Sequence, residues 1–543
     1  MANPIFATLH RVGLTLPDGS TLFQDIDETL AAEAVGLIGP NGSGKSVFGR
    51  LVAGHLAPTA GRVERAAQVY RVDQQSGAYV AHSLAQLAGI ERPLAALRRL
   101  ARGDGTAGDI DSVGERWDLE AHWQSLLARV ALDESMVPAQ LSGGQRMLLA
   151  LIGGLCSDAG LLVLDEPSNH LDRRHRQFLA DEIARWRRAG RGLLLITHDR
   201  TLLDTVDRTI EIRRPNLLRY GGGWSTVLRQ RAAELAGAQA RLEHARVERR
   251  REELAMHRER ERAARRTARG ARTRATGSQS KMLLDAMQER AEHSSGALGA
   301  RHAARRDALR QEVTHAYTAL SGSAAQAAFP RLDVSIAPGR DTLVCTQLRA
   351  PWGTPRPLDW TAKGAVRVAI GGPNGCGKST LLRMLAGELA PLSGQFRSAQ
   401  PGVLLDQELA ILVPSLSLLE QLRQQMPHCP EGRLRQSLAL AGIAEAQVHR
   451  PVQALSGGER MRGALLCAVL RQPTPGMLLL DEPTSHLDLA ATEALELMLD
   501  GWPGLLLVVS HDDAFLERLR LTHRIDHDGD GWHVAPCAHG RQT

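Results

Sequence analysis

Lysine is nearly missing from this chain of 543 residues: four lysines (Lys45, Lys281, Lys363, Lys378) stand against 62 arginines. Where arginine can serve it is used, so the retained lysines mark places that need a compact ammonium, and two of the four sit in matching glycine-rich loops. Cysteine is scarce as well. The six cysteines have no CxxC spacing, which excludes a zinc ribbon, an iron–sulfur domain and a disulfide framework, and fits a reducing compartment. Long apolar runs are absent: the longest, residues 147–156, is about half of the roughly 20 residues a membrane span needs, and residues 1–10 carry no signal pattern. No segment is expected to cross a bilayer.

Proline is the most informative absence. The chain has 25 prolines, yet none between Pro215 and Pro330. With few β-branched residues and long Ala/Leu/Arg/Glu runs, residues 221–329 read as helix, interrupted once by Gly270, Gly277 and Ser278. The expectation is a helical hairpin whose arms are some 30–45 residues, roughly 45–65 Å, bending near residues 269–280. Residues 224–312 hold 21 Lys+Arg against 12 Asp+Glu, or +9, while the remainder is 45 against 48, or −3, so the whole-chain +6 comes from this segment. Nine basic residues against two acids crowd residues 258–281. Such a segment is either a solvated spacer or a lever whose tip meets a polyanion.

On either side of it one series of motifs occurs twice, in the same order. A short apolar run leads into Gly39-Pro-Asn-Gly-Ser-Gly-Lys-Ser46, and again into Gly372-Pro-Asn-Gly-Cys-Gly-Lys-Ser379 followed by Thr380. Gly39, Asn41, Gly42 and Gly44, like Gly372, Asn374, Gly375 and Gly377, let backbone N–H groups turn onto phosphates, Lys45 and Lys378 supply point charges, and the Ser46 and Ser379 hydroxyls suit Mg²⁺. Gln74 and Gln407 each follow the loop lysine by 29 residues, where an amide can reach the metal and a water. Next come Ser142-Gly143-Gly144 and Ser456-Gly457-Gly458, helix starts able to face an anion. Apolar strands then end in Asp165-Glu166 and Asp481-Glu482, the aspartate suited to the Mg²⁺ shell and the glutamate to polarising water. His198 and His511 each follow a further β run and suit a γ-phosphate contact.

This series resembles the ATP-binding cassette ATPases, whose LSGGQ signature is highly specific. Two cassettes without membrane spans, the sequences Ser-Asn-His-Leu-Asp172, Thr-Ser-His-Leu-Asp488 and Thr-His-Asp-Arg200, and Tyr220 with Trp224 opening a charged linker resemble the ABC-F class along nearly the whole chain. The resemblance implies an α/β fold: two P-loop NTPase cassettes, residues 1–218 and 331–543, joined by a long α-helical hairpin at 219–330. It implies a cytoplasmic, monomeric ATPase that holds ATP and Mg²⁺ in two composite sites, each cassette's phosphate loop facing the other's signature serine and glycines. It further implies a ribosome partner at the tRNA exit site, the linker tip meeting rRNA or the tRNA acceptor end through Arg265, Arg266, Arg269, Arg272 and Lys281. A housekeeping role and antibiotic protection are both open, beside two other classes, a transporter ATPase subunit and a DNA-maintenance ATPase. Departures stand out. Leu16 occupies the place of the usual adenine-stacking aromatic in the first cassette, where the second offers Trp352. The stretch from loop lysine to signature serine is 97 residues in the first cassette and 78 in the second, so 19 are extra, at the position of the ABC-F arm. His523, His527, His533 and His539 near Cys537 are spaced too irregularly for a metal and read as a solvated tail.

Overall fold

The computed structural model describes residues 3–72, 82–169, 171–275, 339–352, 356–485 and 487–537. Contacts divide the chain into a unit of Met1–Thr226 with Gln326–Thr543 and a unit of Val227–Ala325. The first unit holds one architecture twice. In the first copy six strands lie in the order Val69–Val72, Leu161–Asp165, Gly192–Ile196, Ala34–Ile38, Arg208–Arg213 and Asn216–Tyr220. All neighbours are parallel except the last pair. The second copy repeats this with Gly402–Leu405, Met477–Asp481, Leu505–Val509, Arg367–Gly371, His523–His527 and Trp532–Pro536. A three-stranded antiparallel sheet accompanies each, Thr21–Ala31, Ile5–Thr15 and Ala60–Arg65 in one, Leu358–Lys363, Asp341–Arg349 and Ser393–Ser398 in the other.

The central strands are short unbroken apolar runs because both their faces are covered. Val35, Leu37, Val163, Leu194 and Ile196 pack with Phe48 and Leu51 of the helix Lys45–Ala53 on one face. Leu162, Leu164, Leu193 and Leu195 pack with Leu148, Leu149 and Ile152 of the helix Gly143–Leu155 on the other. Each such side chain, once buried, contributes about 1.5–3 kcal/mol. Strand Ala34–Ile38 pairs in register with Gly192–Ile196, and that strand with Leu161–Asp165. Their carboxyl ends therefore share one edge. Phosphate loop, Asp165-Glu166 and His198 all leave from that edge, the usual ligand side of a parallel sheet.

The 19 extra residues form local structure. Between the helices Glu91–Arg102 and Leu119–Arg129 lies the additional helix Ala107–Val113. Gly103, at φ 86, closes the first of these, and Thr106 opens the additional one in a capping box with Asp109. Asp109 is buried, and Arg99 holds it in an ion pair. The second cassette spans the corresponding stretch with Leu418–Gln425, Glu431–Leu440 and Glu445–Val448.

In the linker the helix Trp224–Ala275 runs unbroken for 52 residues, about 78 Å. This corrects the expected 30–45-residue arm and the start of its bend at 269: the helix continues through Gly270. A lone helical glycine costs only about 1 kcal/mol relative to alanine, and its Ala/Arg flanks are good helix formers. Arg265 and Arg269 are exposed. Arg266 and Arg272 lie on the same helix. Lys281 and the rest of the expected hairpin lie outside the described residues.

Candidate nucleotide-binding sites

Each phosphate loop is shaped by left-handed glycines. Gly39, Gly42 and Gly44 have φ of 154°, 76° and 105°, and Gly372, Gly375 and Gly377 have 144°, 80° and 99°. The turned backbone brings its carbonyls inward, so Lys45 Nζ donates to Gly39 O at 2.8 Å and Lys378 Nζ to Gly372 O at 2.8 Å. Ser46 Oγ donates to Asp165 Oδ1 at 3.2 Å, and Ser379 hydrogen-bonds to Asp481. Two oxygen donors meet at each loop's edge, a set suited to a hard divalent cation such as Mg²⁺.

The glutamates are held in an unusual backbone conformation. Glu166 and Glu482 have φ of 50° and 49°, the left-handed region that costs a non-glycine residue about 1–3 kcal/mol. The strain is sustained by the neighbouring strand: Glu166 N–H donates to Ile196 O at 2.8 Å and Glu482 N–H to Val509 O at 2.9 Å. Each side chain thereby meets its cassette's histidine, His198 Nε2 at 3.4 Å from Glu166 Oε1 and His511 Nε2 at 3.6 Å from Glu482 Oε1. Thr197 and Ser510 hydroxyls accept the N–H groups of Asp199 and Asp512 and tie down both histidine loops. Burial pushes Glu482 up to about 7 and Glu166 up to about 8, with Lys45 pulling the latter back. Burial, then the loop lysine, pushes His198 down to about 3 and His511 to about 4. Both imidazoles are neutral at physiological pH, and both acids stand close to their titration point, as proton acceptors should.

A cavity of about 910 Å³ is lined from both cassettes, by Lys45, Ser46, Glu166 and His198 and by Lys378, Ser379, Glu482 and His511. Gln407 and Leu16 line it too. Trp352 does not, and is 68% exposed. Gln74 lies outside the described residues. The signature residues Ser142, Gly143, Gly144, Ser456, Gly457 and Gly458 do not line this cavity. Their serines cap their own helices, Ser142 with Gln145 and Ser456 with Glu459. The segment after the acidic pair reaches from one cassette to the other: Asn41 N–H donates to Asp488 Oδ2 at 3.0 Å, and Arg176 Nη1 donates to His511 O at 2.9 Å.

Sequence reasoning passed over three arginines here. Arg71 pairs with Asp165 at 3.1 Å, both nearly buried. Arg214 donates from Nε to Ser43 O at 3.2 Å and from Nη2 to Gly42 O, bracing the first loop. Arg176 reaches the opposite cassette. A count separates them from the other arginines only weakly: Arg71 follows Lys45 by 26 residues, and the same step from Lys378 reaches Leu404.

Fold and site define a tandem P-loop nucleotide-binding protein. The family model described as ABC transporter matches residues 24–169 and 356–485. The Probable ATP-binding protein YheS of Escherichia coli (strain K12) is 30% identical over 520 residues, covering 88% of this chain and 72% of the relative. The Ribosome protection protein VmlR of Bacillus subtilis (strain 168) is 28% identical over 525 residues, covering 94% and 85%. Among solved structures, the archaeal ribosome recycling factor aABCE1, in complex with the ribosomal stalk protein aP1, has a TM-score of 0.58 at 18% identity over 96% of this chain and 89% of that one, a likeness of fold. The chain belongs to the ATP-binding cassette family and, within it, to the ABC-F class: it is an ATP-binding ATPase. Among the described residues no helix is long and apolar enough to cross a membrane, and no cluster of three or more His, Cys, Asp or Glu is placed to hold a metal.

Proposed function

We propose that this ATPase acts on the ribosome, through two ATP sites that each need both cassettes. The observation that carries the shared-site reading is the hydrogen bond from Asn41 in the first phosphate loop to Asp488 of the second cassette. In this reading residues 1–218 and 331–543 are the cassettes, 219–330 the linker, and the pairing is intramolecular within a cytosolic monomer. Ser46 with Asp165, and Ser379 with Asp481, hold Mg²⁺, joined by Gln74 and Gln407. A Mg²⁺ ion held there would supply positive charge to the transferring phosphoryl group. Lys45 and Lys378 hold the phosphates, His198 and His511 contact the γ-phosphate as neutral donors, and Glu166 and Glu482 polarise the attacking water. The signature serines complete the sites when the cassettes close on nucleotide. Turnover by full-length E166Q/E482Q tests these roles: ATP binding should persist while hydrolysis falls at least about 100-fold, the scale of general-base catalysis. Near-wild-type turnover overturns them.

The ribosome as partner is supported by the likeness to VmlR, a ribosome protection protein, and by the Arg-rich helix whose Arg265 and Arg269 are exposed. The same name supports protection of the ribosome as the biological role. We assign RNA contact, rRNA or the acceptor end of tRNA, to Arg265, Arg266, Arg269, Arg272 and Lys281. Arginine bridges phosphates bidentately and stacks on unpaired bases. Replacing all five with Gln should weaken ATP-dependent ribosome binding and flatten its salt dependence, since fewer counterions are released. Wild-type affinity and salt slope would make the linker a passive spacer.

A further inference from the structure

Across the cassette boundary each histidine feels the opposite cassette's aspartate, Asp488 at His198 and Asp172 at His511, but the segment that carries the aspartate adds a cation only at the Lys378 site. Asp172 and Asp488 hold corresponding places, yet four residues on the first cassette has Arg176 and the second Thr492. Thr492 is buried and turns its hydroxyl back onto Asp488 O at 3.1 Å. The Lys45 site thus receives only a carboxylate from this segment, Asp488 on Asn41. Arg176 behaves differently. Its root is fixed in its own cassette, Nε donating to Leu171 O at 3.1 Å and Nη1 lying 3.4 Å from Asp199 Oδ2. From there Nη1 donates to His511 O at 2.9 Å, and the side chain lines the cavity beside Lys378 and Glu482. Asp199 is itself anchored, as the cap of the helix Arg200–Leu203, so the guanidinium is held from behind before it reaches across.

Building on the shared-site reading, we propose that Arg176 is a positioning residue supplied in trans: carried by the first cassette, it fixes the His511 loop and sets a permanent positive charge beside Glu482, making the Lys378 site the faster in hydrolysis. Negative charge develops on the γ-phosphate oxygens as the phosphoryl group transfers, and a preorganised cation nearby stabilises that state more than the ground state.

The test uses the full-length chain with one site silenced at a time. In an E166Q background only the Lys378 site turns over, and there Arg176→Met should lower kcat about tenfold while KM for ATP moves less than about twofold. Arg176→Lys, which restores charge without the planar fork, should recover a substantial part of that loss. In an E482Q background Arg176→Met should change kcat by less than about twofold, and the melting midpoints of all variants should match their parents. Equal losses in both backgrounds, no loss in E166Q, or a lysine variant as slow as methionine each overturn the proposal. Wild-type turnover in E166Q/E482Q overturns instead the assignment of the two acids, so the two failures are distinct.

Discussion

Glu166 and Glu482 are the residues on which chemistry and stability pull against each other. Their side chains are 17% and 21% exposed, and burial lifts them from an ordinary 4.5 to about 8 and about 7. An acid whose folded pKa lies above its unfolded one keeps a proton that the unfolded chain releases, so stability present below about 4.5 is lost as pH rises through the folded value. His198 and His511 act in the opposite sense, their contribution growing from about 3 and about 4 up to the ordinary 6.5 and complete above it. Of these four groups only the acids titrate between pH 6.5 and 8.5. The melting midpoint of the nucleotide-free protein should therefore fall across that window, and should fall less in E166Q/E482Q, whose amides have no proton to release. Parallel slopes would mean that the acids are ordinary carboxylates. The motif residues were legible because each recurs in order in both halves. Arg71, Arg176 and Arg214 were not, because one arginine among 62 carries no signal until strand register and cassette pairing give it a partner.

The phosphate loops look interchangeable as motifs, but their surroundings differ. A Cβ on Gly44 would stand 2.9 Å from Leu22 Cδ2, whereas one on Gly377 meets nothing within 4 Å. Both glycines have positive φ, so alanine at either costs about 1–2 kcal/mol of backbone strain, with roughly 1–3 kcal/mol more from overpacking at Gly44. Gly44→Ala should accordingly weaken nucleotide binding at its own site more than Gly377→Ala does, as measured by titration with a fluorescent ATP analogue. Equal losses would show that strain alone decides. The 19 extra residues were legible as a length difference, while the stop at Gly103 and the restart at Thr106 came from the fold. That Arg99 and Asp109 would fasten the new helix depended on packing that no spacing reveals. Gly270 misled in the other direction: a helix rich in alanine and arginine absorbs it as it absorbs Gly237, and the sequence offers no measure of that tolerance.

Across the molecule, pairing of the cassettes depends on few charged contacts, and the most enclosed is Arg200 with Glu496 at 2.6 Å, their side chains 9% and 11% exposed. Removing the acid strands a buried guanidinium, a change that costs about 3–5 kcal/mol where it has been measured, whereas an isosteric amide keeps a hydrogen-bond acceptor. Glu496→Ala should reduce hydrolysis at both sites and expose the boundary to proteolysis, with Glu496→Gln intermediate. Turnover and digestion patterns like wild type would mean that the cassettes pair by other means. Pairing itself was expected from the family resemblance, but its local geometry was not: Asp488, Arg176 and Arg200 are among the residues that cross, while the signature serines cap their own helices. The central claim is that ATP held between the cassettes locks this protein onto ribosomes. It is tested most directly by sedimenting full-length E166Q/E482Q with purified ribosomes in ATP, in ADP and without nucleotide. The account predicts stoichiometric pelleting in ATP and loss of the protein from the ribosome fraction in ADP; equal pelleting in all three conditions, or none in ATP, would contradict it.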